Sequence, residues 1–125
     1  MRGGGGSRRG RTVYLAGPMT GIDDHNGPAF AAAAERFERD GCRVINPHRL
    51  VSVPGMTRKA AIRRDINDIL LADEVHMLRG WRRSDGARLE RKLALELGLV
   101  VTYERRCHRR PVPRRGRASV AVDRR

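Results

Sequence analysis

Two carboxylates and one glycine-rich turn stand where chemistry could use them. Ser84-Asp85-Gly86 has the composition of a helix start, and Glu90, Leu93, Ala94 and Leu97 then fall at i, i+3, i+4 and i+7, which is one helical face. Glu90 therefore points the same way as apolar residues, and a carboxylate there is costly unless it is paired or faces a cleft. It also follows a helix N-terminus, whose N–H groups and dipole favour an anion. Such a group is either a nucleophile or base at a cleft, or a carboxylate salt-bridged to Arg or Lys at the edge of the core; spacing leaves both open. Asp65 lies beside Ile62 and Ile69 at the margin of a second apolar stripe, and it is either functional or a hydrogen-bonded edge residue. Arg64 and Asp68 stand at i, i+4 and read as an outward, solvated pair. Gly17-Pro18-Met19-Thr20-Gly21 follows an apolar run directly. It lacks the lysine of a P-loop and the spacing of a dinucleotide fingerprint. Two carboxylates suit acid–base or glycosyl chemistry. Asp23, Asp24 and His25 could ligate a divalent ion, but they read better as a solvated loop, as does His48. No metal or cofactor is expected.

The elements that must carry these residues alternate. Strands are expected at 12–16, 43–45, 75–78 and 99–102. The first helix has Pro28 at its opening, Phe30, Ala33, Ala34 and Phe37 on one face, and Gly41 as its stop. The second has Thr57 as N-cap and Ile62, Ile66, Ile69 and Ala72 as its inner side. The third carries Glu90 and ends at Gly98. Strand–helix alternation with near-continuous apolar strands predicts an α/β fold with a parallel, doubly wound sheet. In such sheets ligands bind outside the carboxyl ends of the strands, which is where the glycine turn would lie.

The 125 residues suffice for one small domain. The net charge of +13 is unevenly spread: residues 1–11 hold four Arg and no acid, residues 104–125 nine Arg and two acids, and residues 12–103 fourteen Lys or Arg against twelve acids. This divides the chain into a Gly/Arg-rich leader (1–11), a domain (12–103) and an Arg-rich tail (104–125), with both ends expected to be disordered. Weak, non-specific nucleic-acid contact is thus expected of the ends rather than the body. Cys42 and Cys107 make no metal spacing and no disulfide framework. With no signal peptide or membrane-spanning run, the expected compartment is the cytoplasm.

Tyr14-Leu15-Ala16-Gly17-Pro18, then Asp65 with Ala72-Asp73 further on, then Ser84-x-Gly86-x-x-x-Glu90, resemble in order the motifs of the nucleoside 2-deoxyribosyltransferase family. The likeness extends to its relatives that hydrolyse deoxynucleoside 5′-monophosphates and to short phage and bacterial members. It covers about residues 12–103. The resemblance implies a flavodoxin-like sheet and cleavage or transfer at the N-glycosidic bond of 2′-deoxynucleosides or their 5′-monophosphates. It makes Glu90 the nucleophile and Asp65 the group that handles the proton of the departing base. It sets Gly17, Pro18 and Met19 along the base and sugar pocket, and Ser84 and Gly86 at the sugar 5′ end. Transferases of the family tend to carry Asp at the position of Ser84, and the monophosphate hydrolases Ser; Arg82 and Arg83 beside it suit a phosphate. A homo-oligomer is implied too, since a neighbouring subunit completes the family's sites. The chain departs from the family in reading Arg91-Lys92 after Glu90, where members often read Glu-Leu-Gly after the nucleophile. Two other functions fit the residues: a non-catalytic nucleotide-binding or sensing domain, and a nucleic-acid-binding protein acting through its Arg-rich ends.

Overall fold

The computed structural model describes residues 9–50 and 54–105. The expectations for residues 1–8 and for the tail from residue 106, Cys107 included, lie outside the described residues. Four strands, β1 (Thr12–Ala16), β2 (Arg43–Ile45), β3 (Glu74–Met77) and β4 (Val100–Tyr103), form one sheet in the order β2-β1-β3-β4. Every pairing is parallel. Three helices connect them: α1 (Gly27–Arg39), α2 (Arg58–Leu70) and α3 (Asp85–Glu96). This is the α/β, doubly wound architecture expected, and its order matches the first four strands of a flavodoxin-like sheet.

Alternation along β1 sorts the core into two layers. Val13 and Leu15 meet Phe30, Ala33, Ala34 and Phe37 of α1 on one side, with Cys42 and Leu78. Tyr14 and Ala16 face the other way, toward Ile69 of α2 and Ala87 and Ala94 of α3, with Ala72, Val75 and Met77. The strand order accounts for the split: the chain moves outward from β1 to β2 over one face and returns through α2 and α3 over the other, as parallel crossovers of one hand require.

Local signals fix most element ends. Thr57 caps α2 by accepting from the Ala60 N–H at 3.1 Å, and Ser84 caps α3 by accepting from the Ala87 N–H at 3.1 Å. Gly41 follows α1 at φ +89°, a left-handed turn that favours glycine. Asp73 ties the start of β3 to β1: its carboxylate accepts from the Thr12 N–H at 2.8 Å and its own N–H donates to the Thr12 carbonyl at 2.8 Å.

Besides a one-residue shift of β4, three details differ from the sequence reading. The third strand begins one residue earlier, at Glu74, whose carboxylate is buried in the sheet. Thr102 of β4 donates to it at 2.6 Å, and His76 Nδ1 lies 2.8 Å from the same hydroxyl. The hydroxyl has one proton and gives it to Glu74, so His76 donates from Nδ1. Leu97, placed by periodicity on the inner face of α3, is exposed because it lies past the helix's last turn. In α2 only Ile69 is fully buried, while Ile62 and Ile66 are half-covered. No helix among the described residues is long and apolar enough to cross a membrane.

Candidate active site

Glu90 sits in the second turn of α3, between Ala87 and Ala94 on the face turned to the sheet. There it meets β1. Tyr14, fully buried, donates its hydroxyl to Glu90 Oε2 at 2.9 Å. A tyrosine buried in a strand needs such a partner, and Glu90 supplies it across 76 residues of chain. From α2, Asp65 comes close enough to act on Glu90 both through its charge and through a side-chain hydrogen bond. Arg64, its neighbour in sequence, turns its guanidinium onto Asp65, with Nε at 3.2 Å and Nη2 at 3.0 Å from Oδ1. Its Nη1 reaches the Met56 sulfur at 3.4 Å. The structure thus engages Arg64 with Asp65 at the site margin, where spacing suggested an outward, solvated pair with Asp68.

The electrostatics follow from withdrawal from water. The Glu90 carboxyl is pushed up to about 8, first by desolvation and then by the charge and hydrogen bond of Asp65. The Tyr14 hydroxyl and the more distant Arg64 charge pull the other way without overcoming it. The dipole of α3 does not keep Glu90 ionised, because its favourable field is confined to the first turn. Tyr14 is itself held well above the ordinary phenol range by burial and by the Glu90 and Asp65 charges, so it stays a donor. Asp68 is raised by burial and by Asp65. Glu90, hydrogen-bonded to Asp65, therefore keeps its proton at neutral pH, and two carboxyl groups in such contact can pass a proton from one to the other.

A separate cleft of about 600 Å³ opens at the carboxyl ends of β1 and β3, lined by Pro18, Thr20, Gly21, Asn26, Arg79 and Arg83 among others. Its outer wall is tightly wound. Asp24, His25 and Asn26 all have left-handed backbones (φ 53°, 49° and 67°), and Asn26 Nδ2 donates to the Pro18 carbonyl at 3.0 Å. Neither Glu90 nor Asp65 lines this cleft. Gly17 packs so closely on the end of β3 that a Cβ there would lie 2.8 Å from Leu78 Cβ. On the next loop, a Cβ at Gly80 would lie 3.2 Å from Pro18 Cγ.

The residues singled out from sequence therefore divide. Glu90 and Asp65 come together. Ser84 and Gly86 open the helix that carries Glu90. Ser84 Oγ is engaged as the cap, and a side chain at Gly86 would meet nothing nearer than that oxygen at 4.0 Å. Packing does not demand glycine at that position. Pro18 lines the cleft, Gly17 is required by packing, and Met19, partly buried, packs against the α1 side of the core. His48 is not a solvated loop residue: it stacks on Phe30 with ring centroids 6.0 Å apart, and its Nε2 lies 2.9 Å from the Asp24 carbonyl. Among the described residues no group of His, Cys, Asp or Glu is placed to hold a metal ion. Sequence reasoning missed Tyr14 and Arg64. The signal for Tyr14 was its place in β1 opposite Val13 and Leu15, on the face that α3 covers.

Comparison with protein families finds a match over residues 11–103 to the family described as a domain of unknown function, DUF4406. No curated protein matches the chain.

Proposed function

The chain belongs to the DUF4406 family, whose description carries no activity, and on that premise we propose from its own residues that it cleaves or transfers at the N-glycosidic bond of 2′-deoxynucleosides or their 5′-monophosphates. The observation that carries the reading is the Tyr14–Glu90–Asp65 cluster, in which Glu90 is hydrogen-bonded to both neighbours. The resemblance to the nucleoside 2-deoxyribosyltransferase superfamily gives each member a role. When substrate enters, the proton resides on Asp65 and Glu90 becomes the carboxylate, steadied by the Tyr14 hydroxyl. Glu90 attacks C1′ as the bond from C1′ to the base nitrogen breaks. The base leaves with that electron pair and takes the proton from Asp65. Asp65 then removes a proton from water, for hydrolysis, or from an incoming base, for transfer. The new nucleophile displaces Glu90 from C1′. The N–H groups of the first turn of α3, with Ser84 and Arg83 beside them, suit the 5′ end of the sugar, and a phosphate best. A second copy of the chain is part of this reading, since α2 leaves Leu70 and Leu71 exposed.

One observation favours a second reading. The arginine-lined cleft stands apart from Glu90, as in a domain that binds a nucleotide without cleaving it. Incubation with a panel of deoxynucleosides and their monophosphates, followed by chromatography of released base, separates the two. Release by the wild type and none by Glu90→Gln supports catalysis. Saturable nucleotide binding with no base released from any substrate replaces it with the binding domain.

A further inference from the structure

The body of the chain is close to neutral only on average. Residues 79–92 hold six Arg or Lys against two acids, while the rest of 12–103 holds eight against ten. One of the two acids in the basic segment, Glu90, is turned inward onto Tyr14. The other, Asp85, is paired with Arg88. The remaining charge surrounds a small aromatic cluster. The Arg82 guanidinium lies 4.9 Å from the centre of the Trp81 ring and that of Arg91 lies 5.0 Å from it. Arg91 also lies 5.8 Å from the Tyr103 ring and donates from Nε to the Tyr103 hydroxyl at 2.8 Å. Trp81 and Tyr103 stand 5.9 Å apart, centre to centre. On the other side of the same turn, Arg79 and Arg83 line the cleft together with Glu104, whose carboxylate accepts from the Arg79 N–H. Tyr103, Arg79, Arg82, Arg83 and Arg88 are exposed.

We propose that this face, from the Arg79–Arg83 cleft across Trp81 to Tyr103, binds a single-stranded nucleic acid. Its arginines lie on both sides of the turn, which suits successive phosphates of a strand better than the one phosphate of a mononucleotide. Guanidinium planes and an exposed tyrosine ring offer π surfaces to unpaired bases, which a duplex keeps stacked inside itself. A polyanion without bases, such as an acidic polypeptide, would use the charge and leave the rings unused. The proposal does not rest on turnover at Glu90.

Trp81 is the only tryptophan in the chain, so its emission reports this face and not the Arg-rich ends. The test titrates the full chain with an oligothymidylate of roughly a dozen nucleotides. It follows Trp81 emission together with the anisotropy of labelled oligomer, over a range of salt, with thymidine monophosphate and polyglutamate as comparison ligands. The expected result is saturable quenching by the oligomer. Arg82→Gln/Arg83→Gln, folded by circular dichroism, should bind about tenfold more weakly with a log–log salt slope smaller by about two. Arg79→Gln should give the same effect at about half the slope change, and it keeps the test valid should the double variant misfold. Binding of the oligomer without any change in Trp81 emission, or unchanged affinity and slope in the variants, would assign binding to the ends and overturn the proposal. So would equal affinity for the monophosphate, or equal quenching by polyglutamate.

Discussion

The proposed role sets two demands on Glu90 against each other: a nucleophile has to be ionised, and a carboxyl withdrawn from water resists ionising. With its titration near 8 in the folded protein against 4.5 as a free side chain, Glu90 keeps its proton at neutral pH and can part with it only to a neighbour. In the proposed reaction Asp65 is that neighbour. It follows that kcat/KM should fall as pH rises through about 8, where Glu90 loses the proton that the proposed reaction passes through Asp65 to the departing base. A rise through the same range would mean that Glu90 works alone and that Asp65 delivers nothing. The same shift sets a stability prediction. Below about 4.5 both folded and unfolded chains hold the proton. Between there and about 8 only the folded chain does, so this group's contribution is lost as pH climbs and levels off above. Glu90→Gln cannot ionise, so it should be more stable than wild type at pH 9 by a few kcal/mol and nearly equal to it at pH 4. Urea titrations at the two pH values would read this, and equal differences at both would show that Glu90 is not shifted. The variant should also lose glycosyl transfer by orders of magnitude and show no deoxyribosyl adduct by intact mass. Tyr14→Phe removes the one hydroxyl that favours the Glu90 anion. It should therefore move the pH limb of kcat/KM upward and lower the rate by about ten- to a hundredfold. A purely structural tyrosine would leave the limb in place.

At the scale of elements, the informative comparison is between two caps of equal geometry. Thr57 and Ser84 each accept one N–H at 3.1 Å at the head of a helix, and removing either should cost about 1 kcal/mol. Only α3 carries Glu90. Thr57→Ala should therefore lower stability alone, while Ser84→Ala should lower stability by a similar amount and weaken turnover of monophosphates as well. Ser84→Asp keeps the cap and sets a negative charge against a 5′-phosphate. Its preference should swing from monophosphates toward free nucleosides, and an unchanged ratio of kcat/KM values would remove Ser84 from the substrate's 5′ end. These two helices also mark what could be read before folding. Caps, stops and the Phe30–Phe37 face are local, so they were legible, and β1 has the bounds its apolar run indicates. Glu90 and Asp65 were visible because a carboxylate on an apolar stripe breaks a local pattern. What is not local stayed hidden. The start of β3 at Glu74 depends on Thr102, 28 residues later. The role of Tyr14 depends on which face of β1 receives α3, which is a fact of topology. The packing of Met19 against the α1 side of the core likewise depends on where α1 comes to lie.

Among the described residues, several large apolar side chains stand exposed on one layer of the fold. Leu70 and Leu71, where α2 ends, are 58% and 71% exposed, and Leu89 and Leu95 of α3 are exposed on the same side of the sheet. Single exposed leucines are ordinary, but several on one layer mark a contact surface. The layer is also the one that supplies Asp65 and Glu90, so a partner docked there would lie against the candidate site. A second copy of the chain is the partner the family resemblance implies. Its contribution can be isolated because the exposed leucines add little to the monomer's own core. Leu70→Asp/Leu71→Asp should leave the fold intact, with a circular dichroism spectrum and melting temperature close to wild type. In sedimentation velocity the wild type should run as a dimer or larger and the double variant as a monomer. If the neighbour completes the pocket, base release should fall with dissociation. The pH-dependent stability difference that Glu90→Gln produces should persist in the double variant, because that difference arises within one chain. A wild type that sediments as a monomer at the concentrations used for turnover, and still releases base, would place the complete site within a single copy.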